Sequence, residues 1–197
     1  MKFRRFLAAV LAALTLFSLT ACAQETPAGK TVTLGQMQGS TYTNTYAGFA
    51  CTLDGSWTCQ LAQEAQELPE YVTDLKADNE QALTSLLVNY QKHSPAAMKA
   101  FMAMTEEQVV DSVLKGKDTM IDTYKKDGID ATVLEKVKVQ FAGQEHFALH
   151  MEATIQGVPY YTTQLFVYGQ GLYGVTLTVA SFMADKSGDL LDLFAAA

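Results

Sequence analysis

Between Gly143 and Gly157 the apolar side chains Phe147, Leu149, Met151, Ala153 and Ile155 fall at every second position without a break. A period of two is the signature of an extended strand with one buried face, and no helix satisfies it. The pattern is repeated upstream, where Val133, Val137, Val139 and Phe141 alternate with polar residues. Downstream, Gly157 opens a third extended stretch, 158–168, and Gly169-Gln170-Gly171 separates it from a fourth, 172–181. Short Gly-bearing connections between successive strands predict hairpins, so this region reads as an antiparallel four-stranded meander.

Other elements flank the meander. Phe49-Ala50-Cys51-Thr52-Leu53, then Asp54-Gly55-Ser56, then Trp57-Thr58-Cys59-Gln60 reads as a tight hairpin. With a three-residue loop Cys51 falls opposite Cys59, close to disulfide range for facing Cβ atoms. The alternative is a pair of small apolar thiols in the core. Two thiolates without a matching Cys or His pair leave a zinc shell half empty, so no zinc site is assigned.

Residues 61–78, rich in Ala, Glu, Gln and Leu, predict one or two short helices interrupted by Pro69. Residues 82–92 read as a buried strand with helix as the alternative. The clearest helix is 105–127. Thr105 and Gln108 form a capping box, Glu106 and Glu107 favour the N-terminal dipole, and Lys125, Lys126 and Gly128 mark the end. Its apolar stripe runs through Val110, Val113, Leu114, Ile121 and Tyr124 and belongs to the core. A last helix is expected over 188–194, capped by Asp185 or Ser187. Strands framed by helices predict an α+β fold, an antiparallel β-sheet layered with helices.

The N-terminus carries an address. Met1-Lys2-Phe3-Arg4-Arg5 precedes an apolar run of 14 residues, Phe6 to Leu19. A permanent membrane span needs about 20, so 1–21 reads as a removable secretory signal. Leu19-Thr20-Ala21-Cys22 resembles the lipobox of bacterial lipoproteins, in which the cysteine becomes the lipidated first residue. That resemblance implies a signal peptide, acyl chains on Cys22 and residence at the extracytoplasmic face of the cell membrane, since two acyl chains suffice for stable anchoring. Residues 22–40, with Pro27, Gly29, Gly35 and Gly39, read as a flexible tether to a single domain at 41–197.

Charge narrows the partners. The chain has 14 basic and 21 acidic residues. Without Lys2, Arg4 and Arg5 it keeps 11 against 21, a balance of −10 with no arginine left. Nucleic acid is therefore not an expected partner, because phosphate contacts need Lys and Arg.

Tyr42-x-Asn44-x-Tyr46-x-Gly48-Phe49, the hairpin ending at Trp57, Phe141-Ala142-Gly143-Gln144-Glu145-His146 and Gly157-Val158-Pro159-Tyr160 together resemble small lipoproteins of anaerobic gut Firmicutes. In outline these are similar to the PsbP-like fold of the photosystem II extrinsic subunit, an antiparallel sheet between helix layers. The resemblance spans residues 41–194 and carries over no catalytic residue. It implies a binding or assembly module.

Candidate chemistry is sparse. His146 and His150 have the spacing of metal ligands on a helix, but on a strand residues four apart are separated by about 13 Å, so they share no ion. They and Glu152 decorate the solvated or helix-facing side of that strand. His93, Met98, Met102 and Met104 cluster in one stretch, where thioethers could hold Cu(I). The alternative is gap filling or partner contact by flexible Met side chains.

None of the eight serines lies in Gly-x-Ser-x-Gly, although a dispersed triad leaves no such trace. Glu106 and Glu107 diverge on a helix, and Asp185-x-Ser187-Gly188-Asp189 lacks the glutamate of a calcium loop. Tyr160, Tyr161, Tyr168 and Tyr173 read as ordinary strand aromatics, with a sugar- or protein-binding face as the alternative.

No catalytic, cofactor or metal residue is assigned. The expectation is a membrane-anchored, non-enzymatic accessory module of an envelope protein assembly. The alternatives are a small-ligand or Cu(I)-binding lipoprotein and, further off, a hydrolase with a dispersed site.

Overall fold

A computed structural model describes residues 32–63, 68–168 and 171–197. The expected signal peptide, residues 1–21, and Cys22 lie outside them. Eleven strands and four helices are described, in the order β1 Gln36–Gln38, β2 Thr41–Asn44, β3 Phe49–Thr52, β4 Thr58–Leu61, β5 Tyr71–Asn79, β6 Thr84–Lys92, α1 Pro95–Met102, α2 Glu106–Leu114, α3 Lys117–Lys126, β7 Ile129–Phe141, β8 Gln144–Ile155, β9 Val158–Tyr168, β10 Tyr173–Phe182, α4 Ser187–Leu191 and β11 Phe194–Ala196. Among the described residues no helix is long and apolar enough to cross a membrane.

The predicted meander β7-β8-β9-β10 is present. It extends into a seven-stranded sheet of order β4-β5-β6-β10-β9-β8-β7, antiparallel at each pairing. Its two-residue turns fit the sequence: Phe141 pairs with Gln144 and Ile155 with Val158. Ala142 and Gly143 between the first pair have φ of 49° and 80°, and Gln156 and Gly157 between the second 52° and 79°. Positive φ at both central positions matches the right-handed twist of the flanking strands, and glycine adopts it without a Cβ penalty.

The central strands are buried on both faces. Along β6, Leu86, Val88 and Tyr90 enter one hydrophobic cluster while Leu87 enters another. Along β10, Val175, Leu177 and Val179 join the first cluster, and Ala180 and Phe182 the second. The helices cover the second cluster through Val110, Met120 and Tyr124. The first is covered by a second sheet of order β1-β2-β3-β11, which contributes Tyr42, Phe49, Cys51 and Phe194. The architecture is thus α+β, but the sheet does not lie between two helix layers, because one face is closed by another sheet.

Four local expectations change. Residues 71–78 form strand, not helix: β4 ends at Leu61 and β5 covers 71–79, while 64–67 lie outside the described residues. Pairing with β6 overrides any helical preference over 71–78. The hairpin from Cys51 to Cys59 does not form, because β3 and β4 enter different sheets; Cys51 faces Tyr42 and Phe194, and Cys59 faces Ala77. Asp54 shapes the corner instead, its carboxylate accepting from the Ser56 amide at 2.9 Å and from the Ser56 hydroxyl. The helix over 105–127 breaks at Lys115-Gly116 into α2 and α3, since glycine costs about 1 kcal/mol in a helix interior. Its capping box is present, with the Gln108 amide donating to Thr105 Oγ1 at 3.2 Å and the Thr105 amide to Gln108 Oε1 at 2.9 Å. Finally, the C-terminal helix is Ser187–Leu191, and Phe194 belongs to β11.

The fold also begins earlier than the tether reading placed it. Val32, Leu34 and Met37 pack on the first cluster, and β1 pairs with β2. A buried polar knot fastens this segment. Asp74, 0% exposed at an irregularity between Thr73 and Leu75, accepts from the Tyr42 hydroxyl at 2.6 Å, the Gly35 amide at 2.8 Å and Asn44 Nδ2 at 3.1 Å. Asn44 Nδ2 also donates to the Tyr90 hydroxyl at 2.8 Å, which donates in turn to the Thr33 carbonyl at 3.0 Å. The three bonds to Asp74 fall on Oδ2, and the Gly35 amide also reaches Oδ1 at 3.1 Å, so both carboxylate oxygens are engaged, as burial demands.

Candidate functional site

At the end of the seven-stranded sheet, where β7 turns into β8, a cavity of about 400 Å³ opens beside the helices. That volume falls in the range of about 300–1,000 Å³ typical of ligand pockets. Phe141, Phe147, Leu165 and Val167 form its sheet side, Phe101 and Met102 come from the end of α1, and Met104 from the link into α2. Ala47, Gly48 and Ala196 of the small sheet complete the wall. Polar groups are few: Glu106, Gln144 and His146.

The position of each of these groups follows from local structure. Ser94 caps α1, its hydroxyl accepting from the Ala97 amide at 3.2 Å, and Pro95 occupies the first turn, where a missing N–H costs nothing. Met98 then faces inward at 2% exposure, while Met102 and Met104 stay 56% and 38% exposed. The Thr105 box starts α2 directly after Met104 and places Glu106 in its first turn. Glu106 Oε1 lies 2.9 Å from His146 Nδ1 on β8. The Phe141 ring meets the imidazole edge-on, centroids 5.6 Å apart. Lys136 Nζ donates to Glu107 Oε1 and Asp111 Oδ1, both at 2.8 Å, pinning α2 to β7. Those two acceptors raise the Lys136 ammonium above its ordinary value, Asp111 first.

The two glutamates read as dipole partners therefore split their tasks, Glu106 to the imidazole and Glu107 to the lysine. Neither contact is visible in sequence, because the partners are 40 and 29 residues away.

His146 and His150 share β8, as the alternation predicted, and have separate surroundings. His150 is buried, with Nδ1 2.9 Å from Thr163 Oγ1, and the Thr163 hydroxyl donates to Ser187 Oγ at 2.8 Å. The other ring nitrogen stands 3.9 Å from Asp185 Oδ2 and 4.0 Å from Glu152 Oε1. Asp185 also accepts from the Ser187 amide at 2.9 Å, but the N-cap is Lys186 and no side chain caps the helix, so neither Asp185 nor Ser187 takes the capping role expected of it. Serine, threonine and imidazole thus form a chain that sequence reading missed, since it joins β8, β9 and α4. Threonine stands between serine and imidazole, so the chain is not the direct Ser–His contact of a hydrolytic nucleophile.

Other candidates resolve into packing. The His93 ring stacks edge-on against Phe101 at 5.2 Å, and burial pulls its pKa down. It does not line the cavity, and Met98 lies in the core. Tyr160 stacks on Phe182 at 4.8 Å, and the Tyr173 hydroxyl donates to the Leu68 carbonyl at 2.7 Å. Tyr161 is half-buried; the Tyr168 side chain lies outside the described set. Cys51 and Cys59 are both free thiols. Burial, then the neighbouring Cys59, pushes the Cys51 thiol up to about 12; burial, then Asp78, raises Cys59 as well. Among the described residues no group of three or more His, Cys, Asp and Glu side chains is placed to hold a metal ion.

No family model and no curated protein matches the chain. Among solved structures it is similar to the solution structure of cyanobacterial PsbP (CyanoP) from Synechocystis sp. PCC 6803, at 14% identity and a TM-score of 0.47 over 91% of this chain and 99% of that one. At that distance nothing about function is carried across.

Proposed function

We propose that this chain is a non-enzymatic binding module, held at the extracytoplasmic face of the cell membrane by a lipid on Cys22, and that it serves as an accessory subunit of an envelope protein assembly. The lipobox Leu19-Thr20-Ala21-Cys22 supports the anchor. The cavity carries the binding reading: its walls are rings, aliphatic side chains and adaptable thioethers, with one imidazole–carboxylate pair at hand. Such a lining suits retention of a ligand or of a partner's apolar side chain. The hydroxyl chain ending at His150 is not part of it. A Cys51–Cys59 bridge, closed by oxidation outside the cell, belongs to the same proposal.

The test places a photoactivatable crosslinker at Gln144, an exposed residue of the cavity lining, or at Met183, exposed at the end of β10. Irradiation in intact native cells is followed by recovery and mass spectrometry. One envelope protein attached at near-stoichiometric yield from Gln144, and not from Met183, is the expected result. The protein alone from both positions overturns the assembly reading. An unlipidated Cys22 overturns the anchor.

A second reading, a small-ligand or metal-binding lipoprotein, is favoured by the exposed methionines beside His146.

A further inference from the structure

The geometry points to a monovalent copper site in this cavity, formed by the imidazole of His146 and the thioethers of Met102 and Met104. It rests on the cavity being a binding site and not on any protein partner.

The three donors come from separate places in the chain. Met102 ends α1, Met104 lies in the link to α2, and His146 stands on β8, yet all three line one cavity. Sequence proximity suggested His93 as the companion of the methionines; the fold supplies His146 instead.

The imidazole is prepared for coordination. A carboxylate only accepts hydrogen bonds, so the 2.9 Å contact with Glu106 Oε1 assigns the proton of the neutral ring to Nδ1 and leaves the Nε2 lone pair. Metal-bound histidines are held in this way by a second group, which fixes the tautomer and orientation of the ring. The 5.6 Å edge contact with Phe141 restrains the ring further.

The thioethers determine which metal. Both are neutral, soft donors, and Met102 and Met104 are 56% and 38% exposed where Met98 of the same helix is 2%. Two thioethers and one imidazole suit Cu(I), whereas magnesium, calcium and manganese seek carboxylate and carbonyl oxygen. The oxygen donors of the lining are Glu106, whose Oε1 is engaged with His146, and Gln144; the remaining walls are phenyl, aliphatic and thioether.

The experiment uses the full chain with ¹³C-labelled methionine methyl groups and Cu(I) added anaerobically. Signals are assigned through single Met→Leu variants. Shifts of the Met102 and Met104 methyls at one equivalent, with Met98 and Met183 unmoved, are expected. Competition against a Cu(I) chelator then reads affinity. Met102→Leu combined with Met104→Leu abolishes the one-equivalent site, Glu106→Leu weakens it about 10–100-fold, and Glu106→Gln, which keeps an acceptor, restores most of it.

Unmoved methyls overturn the proposal, and so does binding that disappears with Cys51→Ser and Cys59→Ser while the methionine variants leave it intact. Those results would leave a Gln144 crosslink untouched, so the copper site and the binding module fail separately.

Discussion

Replacement of Gly35 by alanine tests whether residues 32–38 are truly part of the fold. A Cβ built on Gly35 lies 2.3 Å from Tyr42 Cε2 and 2.4 Å from both Cζ and the hydroxyl oxygen. Carbon atoms pack at about 3.5–4.0 Å, so ring or backbone must retreat by more than about 1 Å. Tyr42 has nowhere to go: it is 0% exposed, and its hydroxyl holds Asp74 at 2.6 Å. Overpacking costs about 1–3 kcal/mol and loss of a buried hydrogen bond about 1–3 more, so Gly35→Ala is expected to destabilise by about 2–6 kcal/mol. At about 2–4 °C per kcal/mol for a chain of this size, Tm falls by about 4–24 °C. Urea unfolding followed by the fluorescence of the single tryptophan, Trp57, gives the number directly. Gly55→Ala is the control, because a Cβ there meets nothing within 4 Å; it should stay within about 0.5 kcal/mol of the parent. Equal small effects at both glycines would refute the packed N-terminal segment and the knot built on it.

Asp74 makes stability depend on pH in an unusual direction. Burial raises its carboxyl above the ordinary range despite lowering hydrogen bonds from Tyr42, Gly35 and Asn44. A folded-state value above the unfolded one, which is about 3.9, means that its stabilisation is complete below the unfolded value and declines as pH rises through the folded one. Urea midpoints of Asp74→Asn should lack that decline; parallel profiles would remove the argument. Thr105→Ala loses the capping box and is expected to cost about 1 kcal/mol by the same assay, with no change meaning that α2 is held by packing alone. In protein kept reduced, so that both thiols are free, Cys59, half-buried, should alkylate faster at pH 8 than Cys51, whose thiol is pushed up to about 12; mass spectrometry of partially modified protein orders the two, and the reverse order would contradict the burial.

What was legible in the sequence was whatever is periodic or local. Strand β8 could be read from Phe147 to Ile155 because one face repeats every two residues, and the start of α2 from Thr105 and Gln108 because a capping box spans only four positions. The turns at Gly143 and Gly157 were legible for the same reason. Residues 71–78 misled because Leu75, Lys76 and Ala77 report only local preference, whereas β5 exists through its pairing with β6. Cys51 and Cys59 misled because a short polar link reads as a hairpin whether its arms pair or part into two sheets. The site was least visible. Its methionines stood out as a composition anomaly, but Glu106 and His146 meet across 40 residues, and no spacing rule anticipates a contact that only sheet order creates.

The order β1-β2-β3-β11 gives the molecule a clasp that its own synthesis must wait for. A ribosome delivers β1, β2 and β3 early, and β11, with Phe194 paired across from Cys51, after every other described strand. Until then Phe49 lacks the ring of Phe194 that it meets edge-on at 5.6 Å, and the outer rim of β3 stays open. Pairings that span most of the chain are slow to nucleate, because the loop they close is long. A chain emerging from its N-terminus therefore keeps the small sheet unlatched until every strand of the large sheet has been made, and the wall that Ala196 gives the cavity arrives after them.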